Sequence, residues 1–286
     1  MIATTERATE LTVTSSNDAA KQLNLLSVQL TQHFASDSTS AIDTSSKSSL
    51  TKLASLLSQH CHLASITTLL SSLIQSPELL AKIAARSYWH GNGFLKVVLL
   101  DQGYKLRLHI WFAGTSCEEN IHSHRWGFAS HVLTGALSSE LWADAANDNL
   151  AVSDCASNVV PTTSQALKLQ TKEYVYTAKH QSGHTSMLPH KQYIGTAYLQ
   201  KLQNVTQTAG ASYLMTPDQL HRINHPGQEL VATIICTAPT QILTNRLFPT
   251  IDDPNLQPAN LSADELKHAL TRYINHSLTN LSLLAA

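Results

Sequence analysis

The stretch EENIHSHRWGFASHVLTGAL carries His122 and His124 with one residue between them. On an extended strand side chains alternate, so residues i and i+2 project to one face and the two imidazoles address the same point. Imidazole is the commonest side-chain ligand of first-row metals, and a pair presented in this way is most of a chelating site. A third candidate, His221 in TPDQLHRINHPGQELVATIIC, follows almost a hundred residues later on a separate predicted strand. A closed barrel brings such strands face to face, so the spacing predicts a three-histidine metal site provided the fold closes. The tripeptide also arises by chance on polar strand faces, and a total of 15 histidines is no proof by itself.

A second group lies in YKLRLHIWFA, where Leu106, Leu108, Ile110 and Phe112 share one face of a predicted strand and Arg107, His109 and Trp111 the other. If the polar face turns inward, Arg107 can clamp a carboxylate, His109 can act as an acid, a base or an orienting group, and Trp111 walls a pocket. If it turns outward, it is a solvated strand surface without a role. Arg125 is expected to pair with Glu118 or Glu119 and to hold the loop, since alternation from the ligand pair turns it away from the metal. His131 is expected to face away as well unless a bulge resets the register. His180, His184 and His190 sit in the Gly- and Ser-containing stretch AKHQSGHTSMLPHKQ, a loop whose histidines lack regular ligand spacing and read as solvated rather than as a second site or a lid.

Positioning these residues falls to the elements around them. Residues 1–17 are rich in Thr, Ser and Asn without an apolar period and read as a disordered tail. Residues 18–86 read as a helical segment. Apolar residues give a loose stripe from Ala19 to Phe34, the Ser-rich DSTSAIDTSSKSS reads as a loop, and Leu50 to Ile74 is strongly amphipathic with a break near His60. Ser76-Pro77 begins a further helix, with Ser at the N-cap and Pro at the first helical position. Within 87–250 the period changes to two, and FLKVVLL, YKLRLHIWFA, HVLTGAL, ALKLQTKEYVYTA, GTAYLQKLQNV, ASYLM and ELVATIIC read as strands of a barrel or sandwich. Residues 251–286 read as a loop followed by a helix that opens on a Ser262/Glu265 capping box.

With 19 Lys plus Arg against 20 Asp plus Glu, the net charge near -1 gives no electrostatic reason to expect nucleic acid or an anionic membrane, and a small ligand fits better. The cysteines at 61, 117, 155 and 236 form no CxxC pair and read as reduced thiols. No apolar run is flanked by basic residues at the start of the chain, and none reaches the roughly 20 residues of a membrane span, so a cytoplasmic protein is expected.

The spacing of HxH, a glycine eleven residues after His124 in VLTGAL, and a distant LHRI after a proline-containing turn resembles the two motif halves of the cupin superfamily. It is most similar to the thiol dioxygenases, including cysteine dioxygenase. The resemblance runs from Asp101 to Pro239 and is carried by DQG, WFAG, IHSH, VLTGAL and LHRI. It implies a mainly β, cupin jelly-roll barrel with helices before and after it. It also implies a ferrous ion held facially by His122, His124 and His221, leaving up to three positions for substrate and dioxygen. Alignment on WFAG turns the Arg107 face into the barrel, and His225 takes approximately the asparagine position of the second motif.

Departures from the pattern are informative. Most metal cupins carry a glutamate seven residues before the motif glycine, and here that position, counted back from Gly135, is Phe128. The donors are then all neutral, which leaves a cationic metal that attracts thiolate or carboxylate. Mammalian-type cysteine dioxygenases have a cysteine at that position, crosslinked to a tyrosine. In VATIICTAP, Thr233, Ile235 and Thr237 stand where the family has serine, histidine and tyrosine, so crosslink and relay are both missing. The family's substrate arginine aligns with Val97, and Lys96 is one residue away. The resulting expectation is a non-haem Fe(II) dioxygenase acting on a small thiol- or carboxylate-bearing molecule and O2. Arg107 or Lys96 fixes the anionic end in a pocket walled by Trp111 and Phe128. Alternatives are an isomerase or lyase using Zn, Mn or Ni, and a non-catalytic metabolite-binding barrel. A homodimer through barrel edges is compatible with the resemblance.

Overall fold

Apolar residues at helical spacing produce α1 (Ser16–Ser38), α2 (Lys47–His60), α3 (Leu63–Leu73) and α4 (Pro77–Ala84) ahead of the first strand. The computed structural model describes residues 16–38, 44–145, 168–177, 190–240, 242–250 and 259–284. The α2 helix starts earlier than its apolar stripe, because Ser49 N–H donates to Ser46 Oγ at 3.2 Å and caps it there. Cys61 and His62 separate α2 from α3, close to the expected break, and the His62 ring accepts from Ser65 N–H at 3.4 Å. At α4 the cap expectation is half met: Pro77 opens the helix, but Ser76 makes no side-chain cap bond.

The strands are β1 (Tyr88–Trp89), β2 (Leu95–Gln102), β3 (Tyr104–Trp111), β4 (Cys117–Glu118), β5 (Ile121–His122), β6 (Phe128–Thr134) and β7 (Ala136–Asp144). There follow β8 (Lys168–Thr177), β9 (His190–Thr208), β10 (Ser212–Met215), β11 (Leu220–His225), β12 (Val231–Thr237), β13 (Thr244–Phe248) and β14 (Ala259–Asn260). The described chain ends in α5 (Ala263–Leu284), whose capping box forms as expected: Glu265 N–H donates to Ser262 Oγ at 3.2 Å, and Ser262 N–H to the Glu265 carboxylate at 2.8 Å.

Two seven-stranded sheets result, one ordered β10-β6-β12-β3-β2-β1-β14 and the other β4-β11-β5-β13-β8-β9-β7, with β11 also pairing β7. The architecture is a mainly β, cupin-like two-sheet jelly roll with N-terminal helices and a C-terminal helix. Alternation on the first sheet serves two different neighbours. Leu106, Leu108 and Ile110 of β3 join Ala232, Ile234 and Cys236 of β12 in one core with Leu50, Leu57, Leu70 and Tyr273 of the helices. Trp111, Val231 and Ile235 face the other way, into a core between the sheets with Phe94, Phe128 and Tyr213. Every residue of β12 is therefore buried, and VATIIC reads as a continuous apolar run instead of an alternating one.

Gly135 links β6 to β7 at φ +73°, and a Cβ there would come 2.5 Å from Leu230 O, so the tight turn and the close approach of the β11–β12 connection both require glycine. No helix among the described residues is long and apolar enough to cross a membrane. Cys61, Cys117 and Cys236 are free and buried, and burial raises all three thiols. Cys155, His180 and His184 lie outside the described residues, and His190 is the first residue of β9.

Candidate metal centre

His122 ends β5, a strand of two residues, and sits directly across the ladder from His221 of β11. His124 is not on a strand, so the alternation expected for the HxH pair does not operate. Backbone ties turn it inward instead. His124 N–H donates to Pro217 O at 3.1 Å, Ser123 N–H to Arg246 O at 3.0 Å, and Gly127 N–H to Ser45 Oγ at 2.9 Å. The three rings converge, with centroids 4.8 Å apart for His122 and His124, 4.6 Å for His122 and His221, and 4.9 Å for His124 and His221.

One ligand nitrogen from each of the three residues lies within 4.8 Å of the others, and the group can hold a metal ion. The Nε2 atoms of His124 and His221 are 3.4 Å apart, about the spacing of two nitrogens that bind one tetrahedral ion at about 2.1 Å. His122 Nδ1–H donates to Asn120 O at 2.8 Å. That bond fixes the tautomer and leaves Nε2 as the free lone pair, the arrangement found behind metal-binding histidines. Burial first, then the neighbouring imidazoles, holds His124 well below the ordinary histidine range, and burial followed by His122 does the same to His221. Both are thus neutral at pH 7, the form that ligates. The residues present fit a divalent metal.

The three rings border a cavity of about 540 Å³ between the sheets. Lys96, Arg107, His109, Trp111 and Phe128 all line it, so the inward orientation of the Arg107 face is what the fold adopts. Val97 points to the helices while Lys96 faces the cavity, its Nζ 5.2 Å from the Tyr88 ring centroid and 5.5 Å from that of Phe94. Burial, followed by the Arg107 charge, brings the Lys96 ammonium down to about 7. Burial and the Lys96 and Arg107 charges drive His109 far below its usual value, and its buried Nε2 has no hydrogen-bond partner among the described residues. Ile235 and Thr237 also line the cavity, whereas Thr233 is buried outside it.

The expectation for Arg125 fails. Arg125 pairs with neither Glu118 nor Glu119: it packs 5.0 Å from the Trp126 centroid and lines the cavity. Glu118 pairs instead with Arg222 at 2.9 Å, and Glu119 accepts from Asn92 Nδ2 at 3.1 Å and Ile223 N–H at 3.2 Å. Alternation could not place Arg125, because residues 123–127 are not a strand. His131 does face away from the metal group, toward Ser212 Oγ at 2.8 Å, and His225 is buried beside Trp111. Sequence reasoning missed His90, Tyr88 and Tyr176 on the cavity wall. His90 stacks on Phe94 with centroids 4.5 Å apart, and the only hint was the His-Gly-Asn-Gly turn before β2.

No protein-family model matches the chain, and no curated protein is similar to it. Among solved structures, it is similar to a hydroquinone 1,2-dioxygenase (TM-score 0.24, 12% identity, 49% of this chain and 61% of that one). It is similar also to an L-ribose isomerase from Acinetobacter sp. (TM-score 0.31, 16% identity, 60% and 78%) and to a cupin-2 domain protein from Rhodospirillum rubrum (TM-score 0.19, 10% identity, 68% and 82%). The chain spans less than two thirds of the dioxygenase chain. Similarities this distant carry nothing about the reaction, and they give the thiol-dioxygenase resemblance no specific support.

Proposed function

We propose that this protein is a non-haem Fe(II) oxygenase in which His122, His124 and His221 hold the metal and a small thiol- or carboxylate-bearing molecule occupies the adjoining cavity. The observation that carries this reading is the convergence of three imidazoles, with no carboxylate among them, at a cavity that also presents Lys96 and Arg107. Bound Fe(II) would supply the electrons that let dioxygen react with an organic molecule. The chain's own residues do the rest. Arg107 offers a planar fork to an anionic group and Lys96 a point charge beside it. His109, kept neutral beside Lys96 and Arg107, presents a ring nitrogen that can orient the bound molecule through a hydrogen bond. Trp111 and Phe128 keep water from that end of the cavity.

Elemental analysis of protein purified without chelators, followed by oxygen-uptake assays across small thiols and carboxylic acids, tests the proposal. Near-stoichiometric iron is expected, falling to a trace in His122→Ala, His124→Ala and His221→Ala. Wild-type iron content in any of these variants contradicts the metal assignment. A neutral three-histidine set accepts several first-row ions, so turnover that persists without oxygen and with Zn, Mn or Ni replaces the oxygenase with a redox-neutral isomerase or lyase. Metal-free protein that still binds its ligand replaces it with a metabolite-binding barrel.

A further inference from the structure

We propose that Lys96, Arg107 and Arg125 together form a binding site for a small organic dianion, so that the ligand carries two negative charges besides any atom it offers a metal. Lys96 of β2 and Arg107 of β3 lie on one face of paired strands, where Lys96 is opposite His109 and Arg107 opposite Val98. The guanidinium carbons of Arg107 and Arg125 lie 5.4 Å and 5.0 Å from the centroid of the same Trp126 ring. Protein surrounds Lys96 and Arg107, yet both keep surface that is open to the cavity.

Among the described residues none of these three cations has a carboxylate within ion-pair distance, whereas Lys105, Lys201, Arg222 and Arg246 all do. The two acids whose charges reach these cations make their own direct bonds to other groups. Asp101 binds Lys105 at 2.7 Å, and Glu119, which lines the cavity, already accepts from Asn92 and from Ile223 N–H. Like charges gathered in a cavity repel one another unless a counter-charge arrives, and with the Glu119 carboxylate set against the three cations a monoanion still leaves a positive charge uncompensated. A phosphate or a paired carboxylate matches both the charge and the forked guanidinium donors. A volume of about 540 Å³ leaves room for an organic body between the aromatic walls.

The inference rests on reading this cavity as the substrate site, but it needs no metal. Calorimetric titration of the metal-stripped full chain at fixed ionic strength, with inorganic phosphate, malonate and acetate as probes, tests it. Phosphate or malonate is expected to bind at least about tenfold tighter than acetate, and Arg107→Gln to remove at least about tenfold of that affinity. Acetate binding as tightly as both dianions overturns the proposal, as does dianion affinity that survives unchanged in both Lys96→Met and Arg107→Gln. Should Arg107→Gln fail to fold, Arg125→Gln at the more open edge reads the same loss. A separate metal titration without anion keeps the two readings apart: an absent dianion preference leaves the metal centre standing, and absent metal binding leaves the dianion site standing.

Discussion

At the scale of single residues, the most informative position is one where a charge is missing. Phe128 brings an uncharged ring to the edge of the three-histidine group, its centroid 5.2 Å from that of His124 and 6.2 Å from that of His221. A Phe128→Glu substitution puts an anionic donor at that edge. Competitive titration is expected to show Mn(II) and Zn(II) bound about tenfold tighter or better, since a charged oxygen donor joins neutral nitrogens. Stability should fall by about 3 kcal/mol because a buried aromatic ring is lost. Unchanged metal affinity in a folded variant would place Phe128 away from the coordination sphere. The three converging histidines were legible from the HxH and LHR spacings in the sequence. Arg125 was not, since a parity argument has force only on a strand and residues 123–127 are not in one.

At the scale of elements, the centre depends on contacts that no periodic pattern reveals. The strands β1, β4, β5 and β14 are each two residues long, too short to display any alternation, whereas β2, β3 and β8 were readable from theirs. Because β5 is so short, the segment carrying His124, Arg125 and Trp126 is held from outside. Ser45, just before α2, accepts from Gly127 N–H, and Ala238 N–H after β12 donates to Gly127 O at 2.9 Å. Arg246 of β13 supports the other flank, with a two-bond contact to Asp144 at 2.8 Å and a bond to Glu173 at 2.6 Å. A Ser45→Ala substitution leaves a buried N–H without its partner, at a cost of about 1–3 kcal/mol. It is also expected to weaken metal binding by about tenfold as His124 loosens, with helix content unchanged. Full metal affinity in Ser45→Ala would mean that the other backbone ties hold the segment alone. Gly135→Ala tests the opposite end of β6. Its left-handed φ and the 2.5 Å approach to Leu230 O predict a loss of more than about 1 kcal/mol, read from the denaturation midpoint.

At the scale of the whole molecule, the helices and the second sheet enclose the first sheet from both sides, which is why the cavity can collect so many titratable groups away from bulk water. Which face of β3 turned inward was not decidable from its alternation alone, because both faces of that strand are buried against something. The enclosure has a measurable consequence. Burial is the leading cause that brings His90 down to about 2, holds His109 far below its normal range and lowers His131, with the Lys96 charge acting further on the first two. In the unfolded chain these rings take up protons near pH 6.5, whereas in the folded chain they do not. The unfolded state therefore binds more protons below that value. The stability these groups contribute is complete above about pH 6.5 and is lost as the pH falls. His90 and His109 both withdraw stability as the pH falls from 6.5 to 5, with His124 and His221 adding in the same direction when no metal is bound. Urea unfolding of metal-free protein at several pH values across that window is expected to show a falling midpoint, and His109→Gln a shallower fall. A midpoint that stays level from pH 7 to 5 would mean that the cavity histidines are already protonated in the native fold, and hence that water and counter-ions reach them freely.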